Sequence, residues 1–368
     1  MTRNHAVTDG DGSVPVGYWH GLDDGRIQCD LCPRFCRLRE GQRGLCYVRG
    51  RRGDSIRLFT YGRSSGFCID PVEKKPLYHF LPGTPVLSFG TAGCNLACRF
   101  CQNWDISKAR GDDRLQAHAS PGAIADAALR SDCRSVAFTY NDPVPSLEYA
   151  VDTAIACHER GLQTVAVTAG YITRAPRVDF FRHVDAVNVD LKAFTEAFYR
   201  KLCGAHLQPV LETLEYLVHG TSAWVEITNL VIPGENDGDE EIDRMTRWIA
   251  RELGATVPLH FSAFHPAWKL SDRPPTSRAA LRRARSIALG NGLDYVYTGN
   301  VVDPEGSATR CPACGRSVIE RSGYSITDWS LSPAGQGAQC AYCGAAIAGV
   351  FDATPGDWGS VCRPVGIA

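Results

Sequence analysis

The stretch Val86-Leu87-Ser88-Phe89-Gly90-Thr91-Ala92-Gly93-Cys94-Asn95-Leu96-Ala97-Cys98-Arg99-Phe100-Cys101 sets the fold that the rest of the chain must complete. It opens on a short apolar run, as expected of a strand buried on both faces. It then crosses four small residues and delivers three cysteines spaced C-x3-C-x2-C, with an aromatic before the last. The exit of the first strand of an α/β unit is where a catalytic loop belongs. Three thiolates are one short of the four that normally hold an iron–sulfur cluster. A 4Fe–4S cluster on Cys94, Cys98 and Cys101 would therefore keep one iron open to a further ligand. The plainer alternatives are an incomplete zinc site, which wants a fourth ligand, and unligated core cysteines.

Working outward, apolar runs alternate with helix-like segments. The runs are Val86–Gly90, Ser135–Thr139, Thr164–Thr168, Ala186–Asp190, Trp224–Val231 and Leu259–Ala263, and Tyr295–Tyr297 is a candidate for closing the unit. Between them, Ser120-Pro121 offers an N-cap and a first-turn proline. Leu147, Val151, Ala154 and Ile155 share a helical face. Leu211, Leu214 and Leu217 mark a further helix, as do Ile242, Met245, Ile249 and Leu253. This alternation predicts parallel strands with right-handed crossovers. The expected fold class is α/β, a partial (β/α)6 barrel, with an open doubly wound sheet as the alternative. In either case the site lies at the C-terminal ends of the strands.

Two further cysteine groups flank this unit. Cys29, Cys32, Cys36 and Cys46 sit in an Arg- and Gly-rich stretch, and their spacing suits zinc or an auxiliary iron–sulfur cluster equally. Cys311-Pro312-Ala313-Cys314-Gly315 and Cys340-Ala341-Tyr342-Cys343-Gly344 form paired knuckles, which points to structural zinc over iron. Cys68, Cys133, Cys157, Cys203 and Cys362 stand alone and read as core or incidental residues. The expected organisation is a loose tail over 1–16, a four-cysteine lobe and lead-in over 17–83, and the barrel over 84–303. A zinc-ribbon-like lobe over 304–350 and a tail over 351–368 follow.

Composition narrows the function classes. The 368 residues carry 39 basic and 40 acidic side chains, a net charge of -1, which argues against nucleic acid as the partner. No apolar run reaches membrane-spanning length and the first residues do not read as a secretory signal, so a cytoplasmic setting is expected. In a reducing compartment 16 cysteines favour metal over disulfides.

Beyond the triplet, the chain carries Asp70-Pro71-Val72-Glu73-Lys74-Lys75-Pro76-Leu77-Tyr78-His79-Phe80-Leu81-Pro82-Gly83, Thr139-Tyr140-Asn141-Asp142-Pro143, Asp190-Leu191-Lys192 and Tyr297-Thr298-Gly299-Asn300-Val301. With the flanking cysteine groups, these make roughly residues 17 to 350 resemble the AmmeMemoRadiSam system radical SAM enzymes, relatives of the pyruvate formate-lyase activating enzymes. The resemblance implies that the open iron is chelated by the amino and carboxylate groups of S-adenosylmethionine (SAM). Reductive cleavage then yields methionine and a 5'-deoxyadenosyl radical that abstracts hydrogen from a substrate, with a protein glycyl residue as one candidate.

The resemblance also places residues. Asn141-Asp142-Pro143 stands where relatives carry a Gly-Gly-Glu-Pro-like segment that meets the SAM amino group, so Asp142 reaches one methylene less far. Thr168-Ala169-Gly170 replaces Thr-Asn-Gly, which leaves Thr168 and backbone contacts. Asp190 and Lys192 match the Asp-Leu-Lys near the SAM methionyl group. A flavodoxin or ferredoxin is the implied electron donor, and Memo-like and AMMECR-like proteins are the implied co-workers.

Two more residues come from the strands themselves. His265, at the exit of the sixth strand, is a better candidate than His260 for lining SAM or substrate. Glu226, within an otherwise apolar strand, needs a buried partner. Competing functions are a radical SAM methyl or sulfur transferase and a zinc-dependent binding or scaffold protein.

Overall fold

The computed structural model describes residues 12–110, 115, 117–334 and 337–367. Residues 1–11 of the expected N-terminal tail, and residue 368, lie outside the described residues.

One nine-stranded sheet organises the chain. Its strands are β1 (Phe67–Pro71), β2 (Pro85–Phe89), β3 (Ser135–Phe138), β4 (Gln163–Thr168), β5 (Ala186–Asp190), β6 (Trp224–Val231), β7 (Leu259–Ala263), β8 (Val296–Gly299) and β9 (Arg363–Val365). Across the sheet they run β8-β7-β6-β5-β4-β3-β2-β1-β9. Strands β2 to β8 are all parallel. Strands β1 and β9 add antiparallel pairs on the β2 side. Strands β2 and β8 do not pair with each other, so the curved sheet stays open as a partial barrel. The run expected at Tyr295–Tyr297 supplies a seventh parallel strand.

The strands form where the apolar runs predict because both faces are covered. All four residues of β3 are buried, and it pairs with β2 and β4 in unbroken register. The crossovers carry helices α1 (Pro121–Arg130), α2 (Leu147–His158), α3 (Arg174–Phe181), α4 (Gln208–Gly220), α5 (Asp239–Trp248) and α6 (Arg278–Gly290). The Ser120 hydroxyl accepts the Ala123 N–H at the start of α1, and Ile124, Ala127 and Ala128 form its buried face. Helix α5 opens on Asp239, Glu240 and Glu241, which suit the positive end of its dipole.

Two small lobes flank the sheet. The N-terminal one consists of short antiparallel ribbons, Trp19–Gly21 with Ile27–Cys29 and Arg37–Leu38, and Arg49–Arg52 with Ser55–Leu58. The C-terminal one has two three-stranded units between Thr309 and Ile347.

Three expected boundaries need correction. Val14–Pro15, read as tail, pairs with Arg57–Leu58, and the Val14 side chain is fully buried. Residues 67–71, assigned to the N-terminal lobe, are a strand of the main sheet. Residues 363–365, read as a loose tail, pair with that strand. In each case a partner distant in sequence satisfies backbone groups that the local pattern leaves open.

Candidate functional site

The triplet loop leaves β2 and is held from every side. Asn141 grips it twice: its carbonyl oxygen accepts the Thr91 N–H at 3.0 Å, and its amide donates to the Gly93 carbonyl at 2.7 Å. The Asn95 amide donates to the Tyr171 carbonyl, and Lys108 donates to the Leu96 carbonyl. Gly93 has φ +79°, and a Cβ there would lie 2.0 Å from the Cys46 carbonyl oxygen, so only glycine fits.

A single π-helical turn, Tyr199–Cys203, docks against the loop. The N–H groups of Ala97 and Arg99 donate to the carbonyls of Cys203 and Leu202, each at 2.8 Å. Such turns often sit at functional sites. This brings Cys203 into hydrogen-bond contact with Cys98, which lowers the Cys98 thiol's pKa, helped by Lys192 and Lys108. Cys203 is fully buried, as a core residue should be, but its neighbour in the triplet is not foreseen. A cysteine a hundred positions away gives no local signal of that contact.

Cys94, Cys98 and Cys101 face the barrel lumen, together with Asp142, Thr168, Asp190 and Lys192. The strand ends thus gather all of these predicted residues. Lys192 and Asp190 form an ion pair at 2.9 Å. Burial opposes the lysine's charge, but the Asp190 carboxylate and the neighbouring thiols overcome it and raise its pKa.

The Asp142 carboxylate accepts from the N–H groups of Val144 and Ala169 and from the Thr168 hydroxyl. It ties the exit of β3 to the exit of β4, while burial pushes its pKa up. Thr168 also accepts the Gly170 N–H.

His265 is not part of this group. The chain turns outward after β7, Phe264 takes the buried place with its N–H on the Thr276 hydroxyl, and His265 is exposed. His260 lines the lumen instead.

Glu226 has the buried partners its position demands. Its carboxylate accepts from the backbone N–H groups of Tyr78 and His79 at 3.0 and 2.8 Å and from the Trp224 indole, and it pairs with His260 at 2.6 Å. Burial alone would raise its pKa, but the hydrogen bonds with His260 and the Trp224 indole hold it below the usual carboxylate value. This anchors the segment 77–81 across the N-terminal ends of the strands. Arg321, from the C-terminal lobe, donates to the Tyr78 carbonyl at 2.8 Å and stacks over its ring.

In the C-terminal lobe the four sulfurs of Cys311, Cys314, Cys340 and Cys343 all lie within 4.8 Å of one another. The Cys311–Cys343 and Cys314–Cys340 pairs are 3.6 and 3.8 Å apart. Tetrahedral zinc with bonds of about 2.3 Å sets thiolates about 3.8 Å apart. Gly315 and Gly344 turn the chain after each knuckle with φ of +71° and +76°.

Comparison with known proteins agrees with this geometry. Residues 89–246 match the family model of the Radical SAM superfamily. An uncharacterized protein of Methanocaldococcus jannaschii, MJ0808, is 41% identical over 83% of this chain and 90% of its own length. The pyruvate formate-lyase-activating enzyme of Clostridium pasteurianum is 24% identical over 43% of this chain and 66% of its own. The 4-hydroxyphenylacetate decarboxylase activating enzyme of Clostridioides difficile is 22% identical over 45% of this chain and 55% of its own. Among solved structures, a radical SAM methyltransferase from Sphaerobacter thermophilus aligns over 83% of this chain and 81% of its own, with TM-score 0.47 and 18% identity. Among the described residues, no helix is long and apolar enough to cross a membrane.

Proposed function

This chain belongs to the radical SAM superfamily and is an enzyme, and from that premise we propose that it cleaves SAM reductively to abstract hydrogen from a substrate, with a protein glycyl residue as the first candidate. The observation that carries the reading is the triplet itself. Three thiols, and no fourth lumen-facing cysteine among the described residues, stand at the exit of β2 facing an acidic–basic pair. That donor set suits a 4Fe–4S cluster with one open iron. When bound there, the cluster supplies the electron that breaks SAM into methionine and a 5'-deoxyadenosyl radical.

The chain's own residues position and exclude. Lys192, fixed by Asp190, offers a cation beside Cys98 for the carboxylate of the methionyl group. Asp142 has donors from three residues already and acts chiefly by fixing two strand exits against each other. The Gly170 backbone, left-handed at φ +64°, leaves the β4 exit without a side chain where the relatives' pattern carries the same glycine. The segment at Tyr78 and His79 closes the lower end of the lumen against water.

The glycyl assignment rests on the activating-enzyme relatives, whose names describe activation of other enzymes. A one-electron donor such as flavodoxin or ferredoxin is required, and Memo-like and AMMECR-like proteins are the partners to try first. The four C-terminal cysteines hold structural zinc in this reading, on the strength of their spacing.

The test is anaerobic reconstitution with iron and sulfide, then SAM and dithionite. Formation of 5'-deoxyadenosine above a C94A/C98A/C101A control is expected, and deuterium transfer into it from labelled candidate partners identifies the hydrogen source. No SAM-dependent 5'-deoxyadenosine above that control sinks the proposal.

A further inference from the structure

The N-terminal cysteines face inward around one chamber. Cys29, Cys32, Cys36 and Cys46 line it together with Arg34 and Arg49. All four are free thiols, two buried and two half-buried.

A buried arginine nitrogen of the chamber lining lacks a partner. Arg49 is 1% exposed; it donates to the Pro145 carbonyl and pairs with Glu148, yet its Nη1 has no partner. An unsatisfied buried donor on an arginine that lines the four-thiol chamber points to an anionic group within it.

Sulfur spacing decides which group. Among the described residues, the C-terminal quartet is the one set of three or more ligand atoms mutually within 4.8 Å. No three of the N-terminal sulfurs come that close. Zinc needs about 3.8 Å between thiolates, whereas a cluster places several irons and sulfides between them. The triplet Cys94, Cys98 and Cys101, whose superfamily ligand is a cluster, also falls outside that 4.8 Å limit.

Position then indicates the role. The Cys46 carbonyl touches Gly93, the residue before Cys94. The Arg34 Nε donates to the Asn95 carbonyl at 2.8 Å. None of the four N-terminal cysteines lines the lumen, so a group held there does not meet substrate. Cys46 also borders an outer groove with Arg99, Lys108 and Lys269, a basic surface suited to an acidic electron-carrying protein.

We propose that Cys29, Cys32, Cys36 and Cys46 hold an iron–sulfur cluster that relays electrons to the cluster on Cys94, Cys98 and Cys101. Each transfer moves one electron. A reduced flavin or iron–sulfur donor protein is oxidised, the N-terminal cluster is reduced and then reoxidised, and the catalytic cluster is reduced. No bond is made or broken and no proton moves. The relay rests on the radical SAM reading, whereas the cluster's existence does not.

The test uses the full chain carrying C94A/C98A/C101A, reconstituted anaerobically. Expected are about two to four irons per chain with matching sulfide, about one zinc, and an EPR signal on reduction that SAM does not shift. Two zincs and no iron overturn the cluster. Reduced flavodoxin mixed with this variant is expected to reduce the cluster, and failure to do so overturns the relay.

In the otherwise native chain, C32S/C36S is expected to lower the ratio of flavodoxin-driven to dithionite-driven SAM cleavage by at least about tenfold. An unchanged ratio also overturns the relay. Absence of SAM cleavage in the native protein would count against the proposed function while leaving the metal count of the triplet variant untouched.

Discussion

His79 shows how one buried side chain joins the barrel to its outer lobe. Its Nδ1 meets the Ala348 carbonyl at 2.6 Å, and its Nε2 meets the Tyr297 hydroxyl. A carbonyl can only accept, so Nδ1 carries the proton, and in the neutral ring Nε2 is then free to accept from the Tyr297 hydroxyl. Burial lowers its pKa to about 4, against an unfolded value of 6.5. The folded state therefore binds fewer protons than the unfolded one between those values. The contribution is complete above about pH 6.5 and is lost as the pH falls through 6.5 toward 4, reaching roughly 3 kcal/mol. Urea titrations of the native protein and H79N across that window are expected to show a steeper loss in the native protein, and parallel curves would refute the assignment. None of this was visible in the sequence, because the partners of His79 lie 218 and 269 positions away. The apolar run put Asp190 at a strand exit, but only the resemblance singled out Asp190 and Lys192, which local sequence alone reads as the ion pair they form. His265 was misplaced because alternation along β7 does not say where the chain turns off the sheet.

Among the elements, the triplet loop is the most tightly specified. Two separate demands fall on Gly93: a left-handed backbone and a carbonyl pressed against its Cα. Gly25 shares the backbone (φ +78°) but has no heavy atom within 4 Å of an added Cβ. G25A is expected to cost about 1–2 kcal/mol from backbone strain alone. G93A is expected to cost more and to reduce bound iron after reconstitution, whereas G25A leaves iron unchanged. Iron analysis and urea midpoints distinguish the two, and equal behaviour would mean that the contact with Cys46 is not structural. The strands themselves were readable from their continuous apolar runs, and Ala186–Asp190, Trp224–Val231 and Leu259–Ala263 coincide with them. The π-helical turn at Tyr199–Cys203 was not, since its backbone pairs with Ala97 and Arg99 rather than repeating a local pattern. The knuckle cysteines were readable because turn chemistry and ligand spacing are both local.

For the whole molecule, the open sheet creates a problem that the chain's last described residues address. A sheet that does not close leaves rows of unpaired amides at its margins, a template for pairing between molecules. On one margin Arg363–Val365 lies along Phe67–Pro71, with Pro364 opposite Cys68. The strand is three residues long and its middle residue has no N–H to offer a further strand. It therefore acts as a blunt selvedge on the fabric, finishing an edge that would otherwise keep recruiting thread. A chain ending at residue 358 should fold its barrel yet associate edge to edge, with light scattering rising with concentration. A truncated chain that stays monodisperse would show that Phe67–Pro71 needs no such hem.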